Sequence, residues 1–571
     1  MKPFQQMLLA PVALGLVAPL AASASELNLS DVNRYAPSAE AAQVTSVSQF
    51  SDVQPTDWAY QALSNLVEQY GCVAGYPNGT FKGRQAMTRY EAAALLNACL
   101  DRVTEVTDEL KKLMAEFEKE LAVLRGRVDG LEAKVGELSA NQFSTTTKLN
   151  GKATFVLGAN SYGGNYRTGL AAAAYSGFPV GSKYARQASE TSGATTFNYD
   201  LQLNFDTSFT GKDLLRTRLR AGNFGQSAYF GNPPVGLTGM EAAFEENCGS
   251  GVDCGDVVAV NRLFYQFPIG KNFTATIGGR VRQDDMLAVW PSAYPADTVL
   301  DVFTYAGAPG AYSLNLGGGA GLWWKSGGFS ISANYVSANA DNGRPGPTTN
   351  FAGQSTCSGS GGIATDCSAS TGTVQVAYSH SNYGLAAAYT YTKPNGLAGL
   401  YGGNGSPFAV GAFGGANSVN SVGLSAYWSP TNSGLIPSIS LGWGINSYKD
   451  SASATELFNV DGANSQSWYV GLQWADAFMK GNTLGMAVGE PTFITKMGNS
   501  NNSLRAAYGN NPNDGNYAWE WWYKFQVTDN ISVTPALYYL SAPLGQFQRF
   551  NNTGSNTFNN FGGLVKTTFK F

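Results

Sequence analysis

The stretch LLRTRLRAG, residues 214–222, decides the fold. Arg216, Arg218 and Arg220 share one parity, and Leu215, Thr217, Leu219 and Ala221 share the other. A β-strand turns successive side chains to opposite faces, so this segment carries a guanidinium row on one face and an oily row on the other. A half-buried sheet in water tolerates such a row on its wet face. The surrounding segments choose between that setting and a stricter one.

From Thr145 onward the same period of two recurs. FNYDLQLNF sets Phe197, Tyr199, Leu201, Leu203 and Phe205 against Asn198, Asp200, Gln202 and Asn204. NYAWEWWYKFQV sets Tyr517, Trp519, Trp521, Tyr523 and Phe525 against Glu520, Lys524 and Gln526. An apolar face, an aqueous face and aromatics near the ends are the pattern of a strand in an outer-membrane barrel. Sixteen segments qualify: 146–158, 195–209, 212–222, 257–267, 272–282, 313–324, 327–336, 371–380, 383–392, 419–429, 437–448, 465–476, 483–490, 516–527, 530–540 and 561–571. Short connections such as TGK, GK and TD alternate with long ones. That is how a closed antiparallel barrel behaves when its two rims face different compartments. Both ends of the barrel segment then fall on the short-turn, periplasmic side. The chain closes with VKTTFKF, which resembles the C-terminal assembly signal of Gram-negative outer-membrane proteins.

An arginine facing lipid near mid-bilayer costs about 2–4 kcal/mol. Three in one strand are therefore expected to face the lumen. The same parity turns Arg262 and Gln266 inward, with Leu263, Tyr265 and Phe267 on the lipid side. On the next strand it sets Arg280 and Arg282 against Ile277 and Val281. Six arginines are thus predicted on one sector of the inner wall. The third long connection, which follows them, carries Asp284, Asp285, Asp297 and Asp301. If it folds into the lumen, as the third loop does in general porins, these carboxylates are expected to face the arginines across the channel and create a transverse field.

The bulk numbers agree with this reading. The 571-residue chain has 13% charged residues, against about 25% in ordinary soluble domains, and its net charge of −4 argues against nucleic acid as a partner. It has one histidine, His380, with no nucleophile–base pair or metal-spaced cluster, so neither an enzyme nor a cofactor or metal site is expected. Residues 1–24, MKPFQQMLLAPVALGLVAPLAASA, combine Lys2, an apolar run from Met7 to Leu20 and a small-residue cleavage site. They read as a secretory signal peptide. The six cysteines are near neighbours in sequence: Cys72 and Cys99, Cys248 and Cys254, Cys357 and Cys367. An even count in an exported chain suggests disulfides, but spacing alone does not fix the pairing.

Residues 25–47 read as a linker and 48–100 as a compact helical module. FSDV, WAY, GYPNGTFKG and TRYEAAALL in that order resemble a surface-layer homology (SLH) module, with Gly83 where that family usually has proline. The resemblance implies a grip on anionic cell-wall polysaccharide through Asp52, Trp58 and Arg89. The alternatives are a core role for Trp58 and a helix-start ion pair for Arg89. In residues 101–140, Val103, Val106, Leu110, Leu113, Phe117, Leu121, Leu124, Val128, Leu131, Val135 and Leu138 recur at steps of three and four. This is a coiled-coil seam, which requires partner helices. The barrel occupies 143–571.

Signal, single SLH module, coiled coil and sixteen-stranded barrel together resemble the cyanobacterial SLH-bearing porins. These are grouped with the carbohydrate-selective, OprB-like porins and often called iron uptake porins. The resemblance implies a homotrimer in the outer membrane, in contact with its lipid, with the N-terminal region in the periplasm. It also implies attachment to peptidoglycan-linked polysaccharide and passive flow of small hydrophilic solutes or ions, with sugars and iron as candidate cargo. Two other functions stand beside this one: a structural tether with a nearly closed barrel, and an active metal-chelate transporter, which would need a plug domain.

Overall fold

The structure is a computed structural model. It describes residues 46–571 apart from 58–59, 70, 72, 74–78, 83–84, 86–91, 93–94, 96–145, 247–253, 297, 350–354, 432–433, 452–461, 499–508 and 550–555. The signal peptide, the linker and the coiled-coil seam lie outside the described residues. The chain divides into two units, Met1–Gln142 and Phe143–Phe571.

In the first unit, a short helix at Tyr60–Ser64 continues as a single π-helical stretch, Asn65–Gln69. It buries Leu63 and Val67 against Val47, Phe50 and Val73. Gly71, at φ 60°, closes it by donating its N–H to the Val67 carbonyl at 3.1 Å.

The second unit is a closed antiparallel barrel of sixteen strands. In chain order they are β1 Thr147–Gly164, β2 Thr196–Thr207, β3 Leu214–Gly222, β4 Ala259–Ile269, β5 Phe273–Arg282, β6 Leu316–Ser326, β7 Phe329–Ser337, β8 Ser370–Ser379, β9 Tyr383–Lys393, β10 Ala416–Trp428, β11 Ser438–Ser451, β12 Asn464–Ala475, β13 Thr483–Lys496, β14 Ala518–Thr528, β15 Ile531–Leu540 and β16 Phe558–Lys570. Each strand pairs with its sequence neighbours, and β1 closes on β16 with Phe155 opposite Thr567. Every strand expected from the alternation is present, with ends displaced by a few residues.

The pleat sorts the side chains as expected. Phe197, Leu263, Ile277, Phe329, Val376, Leu385 and Leu424 are exposed on the outside. Asn198, Asp200, Ser332, Asn334, Thr373, Gln375 and Thr390 are buried within. Phe571 extends the closure past β16, its N–H donating to the Gly151 carbonyl at 3.0 Å. Its ring lies over Gly151, where a Cβ would collide with it.

Candidate functional site

The arginine sector is built on β2–β5. The β2–β3 turn is short and tied by Asp213, whose carboxylate accepts from the Phe209 and Thr210 N–H groups at 3.0 and 2.8 Å. A fixed turn fixes the register. Arg216 therefore falls opposite Asp206, Arg218 opposite Asn204 and Arg220 opposite Gln202. Leu219 sits between Leu203 and the exposed Val260, on the outer face.

Most of this positive charge is met by carboxylates. Arg216 donates two hydrogen bonds to Asp206, both at 2.8 Å. Arg220 Nε donates to Asp200 at 2.6 Å, and its guanidinium carbon lies 4.4 Å from the Phe244 ring centroid. Arg262, only 2% exposed, donates to Asp285 at 2.7 Å and to the Asn261 carbonyl and side-chain oxygens at 2.9 and 2.8 Å. Arg282 pairs with Asp284 at 2.5 Å. Arg218 differs: its Nε donates to the neutral Asn204 side chain at 2.7 Å, and among the described residues it forms no salt bridge.

Two expectations about this sector need correction. Strict alternation set Val281 on the lipid side. A bulge at Gly279–Arg280 shifts the β4–β5 register between Leu263 and Phe264, so Val281 is fully buried against Phe264, Met286 and Val336. Arg280 is thereby paired with the outward Leu263, and its nearest carboxylate is Glu246 at 3.9 Å. It stands apart from the inward row. The second correction concerns the acids. Asp284 and Asp285 do not oppose the arginines across the bore. They sit at the root of the third long loop and bridge the same wall directly, Asp285 also accepting from the Arg282 N–H at 2.9 Å. Asp301 is 9% exposed and is held within a loop cluster by Tyr305. Asp297 lies outside the described residues.

The third loop, 283–315, does enter the barrel. The Ala288 N–H donates to Ser332 on β7 and the Tyr294 N–H to Ser440 on β11, at 3.0 and 2.9 Å. The far wall receives its tip: Glu520 on β14 accepts from the Tyr294 hydroxyl and the Leu300 N–H, both at 2.7 Å. Lys566 on β16 donates to the Thr298 carbonyl at 2.7 Å. The return path lies against β10–β12, where Ser425 and Ser467 hold the Ala306 and Gly307 carbonyls at 3.0 and 2.8 Å. Gly442 makes that approach possible, because a Cβ there would collide with the Ala306 carbonyl. Glu520 and Lys566 were legible only as inward parity positions; the loop they would hold could not be read from their own strands.

In the N-terminal unit, Asp52 is an internal clamp. Its carboxylate accepts from the Phe81 and Lys82 N–H groups at 2.7 and 2.6 Å, fastening the turn on which Phe81 meets Phe50 at a centroid distance of 5.8 Å. The Phe81 N–H above all holds its pKa below the usual 3.8. A depressed folded value means that this stabilisation is complete above pH 3.8 and fades as the pH falls through the lowered folded pKa. Asp52→Ala is expected to reduce co-sedimentation with purified cell wall between pH 5 and 8, and Asp52→Asn, which keeps one acceptor oxygen, to reduce it less. Equal loss in both would place the carboxylate charge in the wall contact instead. Trp58 and Arg89 lie outside the described residues.

Of the cysteines, Cys357 and Cys367 are joined in the β7–β8 loop with Cα atoms 5.2 Å apart. Cys254 is also disulfide-bonded. Cys72, Cys99 and Cys248 lie outside the described residues.

Comparison with known proteins agrees with this architecture. Residues 105–571 match the carbohydrate-selective porin, OprB family, and residues 49–93 match the S-layer homology domain. An uncharacterized protein of Nostoc sp. is 35% identical over 585 residues, covering 95% of this chain and 88% of its own length. One from Synechocystis sp. is 29% identical, covering 98% of both chains. The outer membrane protein SlpA of Deinococcus radiodurans is 39% identical over 93 residues, 14% of this chain and 8% of its own. Among solved structures, Pseudomonas putida OprB aligns over 76% of this chain and 96% of its own, with a TM-score of 0.44 and 14% identity. The chain belongs to the OprB family of outer-membrane porins and carries an SLH domain ahead of its sixteen-stranded barrel.

Proposed function

We propose that the protein passes small hydrophilic solutes by diffusion, favours anions over cations at its eyelet, and anchors the outer membrane to peptidoglycan-linked polysaccharide through the SLH domain. The observation that carries the anion preference is Arg218. Its arginine neighbours Arg216, Arg220, Arg262 and Arg282 each have a carboxylate within 2.8 Å, whereas Arg218 forms no ion pair among the described residues: its Nε donates to an amide oxygen, and the Asp285 carboxylate acts on it only at longer range. A charge without a direct counter-ion in a channel wall weighs most on the local potential. Neutral sugars are admitted by the same hydrogen-bonding wall, and the coiled-coil region assembles three chains, so that three wall-binding modules act together. Iron complexes are carried, in this reading, only in neutral or anionic form.

A tether with a nearly closed barrel is the second reading, and one observation favours it. Side chains of the long loops, among them Tyr166, Tyr184, Tyr229, Phe303, Phe408 and Phe547, pack into one buried apolar core. Planar-bilayer recording separates the two. A porin gives stepwise conductance and a reversal potential of anion-selective sign in a KCl gradient. Absent conductance from correctly folded protein would favour the tether, and a cation-selective sign would overturn the eyelet assignment.

A further inference from the structure

Between the tip of the third loop and the short-turn rim, the inner wall carries cations that the arginine sector does not use. Thr298 of the loop roofs a cavity of about 30 Å³ against β14–β16, walled by Lys524, Ser532, Thr534, Lys566 and Thr568. The pleat places them. On β14, Lys524 shares the inward parity of the buried Glu520 and Trp522. On β15 and β16, the register sets Thr534 opposite Lys566 and Ser532 opposite Thr568.

The cavity presents donors without acceptors. Lys566 is engaged by the loop, its Nζ donating to the Thr298 carbonyl at 2.7 Å. Lys524 is not: its ammonium has neither a carboxylate nor another hydrogen-bond partner among the described residues. Thr534 is 5% exposed, and its hydroxyl likewise has no partner among them. The Thr568 hydroxyl reaches only Thr154, at 3.5 Å. Buried hydroxyls are rarely left unpaired, and an ammonium can only donate, so an acceptor is missing here. Water would supply the acceptor but not the charge.

The wall leading to the rim repeats the deficit. Lys152 on β1 and Lys570 on β16 stand directly opposite each other, a pairing that is destabilising for like charges. Neither forms an ion pair among the described residues. The carboxylates of this wall are engaged or peripheral. Glu520 accepts from Tyr294 and Leu300, and Asp200 and Asp206 are bound by Arg220 and Arg216. Asp529 and the terminal residue Phe571 lie exposed at the rim.

We infer that Lys524, Ser532, Thr534 and Thr568 form a binding site for a phosphoryl group beneath the third loop, approached past Lys152 and Lys570. A phosphoryl oxyanion accepts from an ammonium and from hydroxyls at once, and bonds to a charged acceptor are the strong ones. The site adds a ligand class to the porin proposed above, but requires only that water fills the barrel below the loop.

The full-length protein, purified in detergent, is titrated calorimetrically with inorganic phosphate and, separately, with methyl phosphate. Saturable heat is expected from at least one, and the tighter of the two tells whether the free ion or an ester supplies the phosphoryl group. Lys524→Gln is expected to weaken binding at least about tenfold and Thr534→Val about threefold, with folding of both variants checked by heat-dependent gel mobility. Lys480→Gln removes the same charge from an exposed turn and is expected to leave the affinity unchanged. No saturable heat with either probe overturns the site. So does equal loss in Lys480→Gln and Lys524→Gln, or unchanged affinity in both Lys524→Gln and Thr534→Val. Calorimetry reads binding without conduction. A barrel that binds phosphate yet never conducts would therefore end the porin reading and keep the site, and an anion-selective channel that binds neither probe would do the reverse.

Discussion

In a KCl gradient, Arg218→Glu is expected to lower the anion-to-cation permeability ratio by roughly 3–10-fold relative to the unaltered protein. The substitution changes the local charge by two units. At about 8 Å and an effective dielectric between that of protein and water, each unit acts on a passing ion by about 0.5–1 kcal/mol before screening. Salt at 0.1 M reduces that further over a Debye length of about 10 Å. Asn204→Asp is the sharper companion. It leaves Arg218 in place but sets a carboxylate where the amide oxygen now accepts at 2.7 Å, the arrangement already seen at Arg216 and Asp206. It is expected to remove about half of the effect. Unchanged ratios in both variants would mean that ions are sorted elsewhere in the channel.

Asp285→Ala is expected to destabilise the barrel by about 3–5 kcal/mol, because it leaves a buried guanidinium without its counter-ion. Arg262 is 2% exposed, and its remaining partners are the oxygens of Asn261. Asp285 also caps the start of the third loop by accepting from the Arg282 N–H at 2.9 Å, so its loss is felt as a loosened constriction and noisier conductance. The midpoint of denaturant unfolding in detergent measures the stability. The paired substitution Arg262→Met with Asp285→Leu removes both charges and is expected to recover most of the loss, as apolar replacements of buried ion pairs do. A single variant as stable as the parent would show that water reaches Arg262 and screens it.

The barrel was legible residue by residue because a strand in lipid has only two faces, and the bilayer rejects polar side chains from one of them. Leu215 and Leu219 against Arg216 and Arg218 already state which face is which. The Arg216–Asp206 pairing appears only in the structure, where the turn tied by Asp213 sets the hairpin register. Parity fails where the ladder slips. Gly279 and Arg280 break the alternation, and nothing within β5 announces that Val281 turns inward, because a bulge is a property of two strands at once.

The sequence alone therefore determined the barrel, its strand count, the shared face of Arg216, Arg218 and Arg220 and the SLH domain, all of which rest on contacts between neighbours or on a local period. Only the tertiary structure decided which arginine lacks an ion-pair partner and where the third loop runs. Those depend on Asp285 meeting Arg262 and on Glu520 meeting Leu300 across 220 positions. Electrostatic compensation is set by distance in space, and along an antiparallel wall that distance appears only once the strands close on one another.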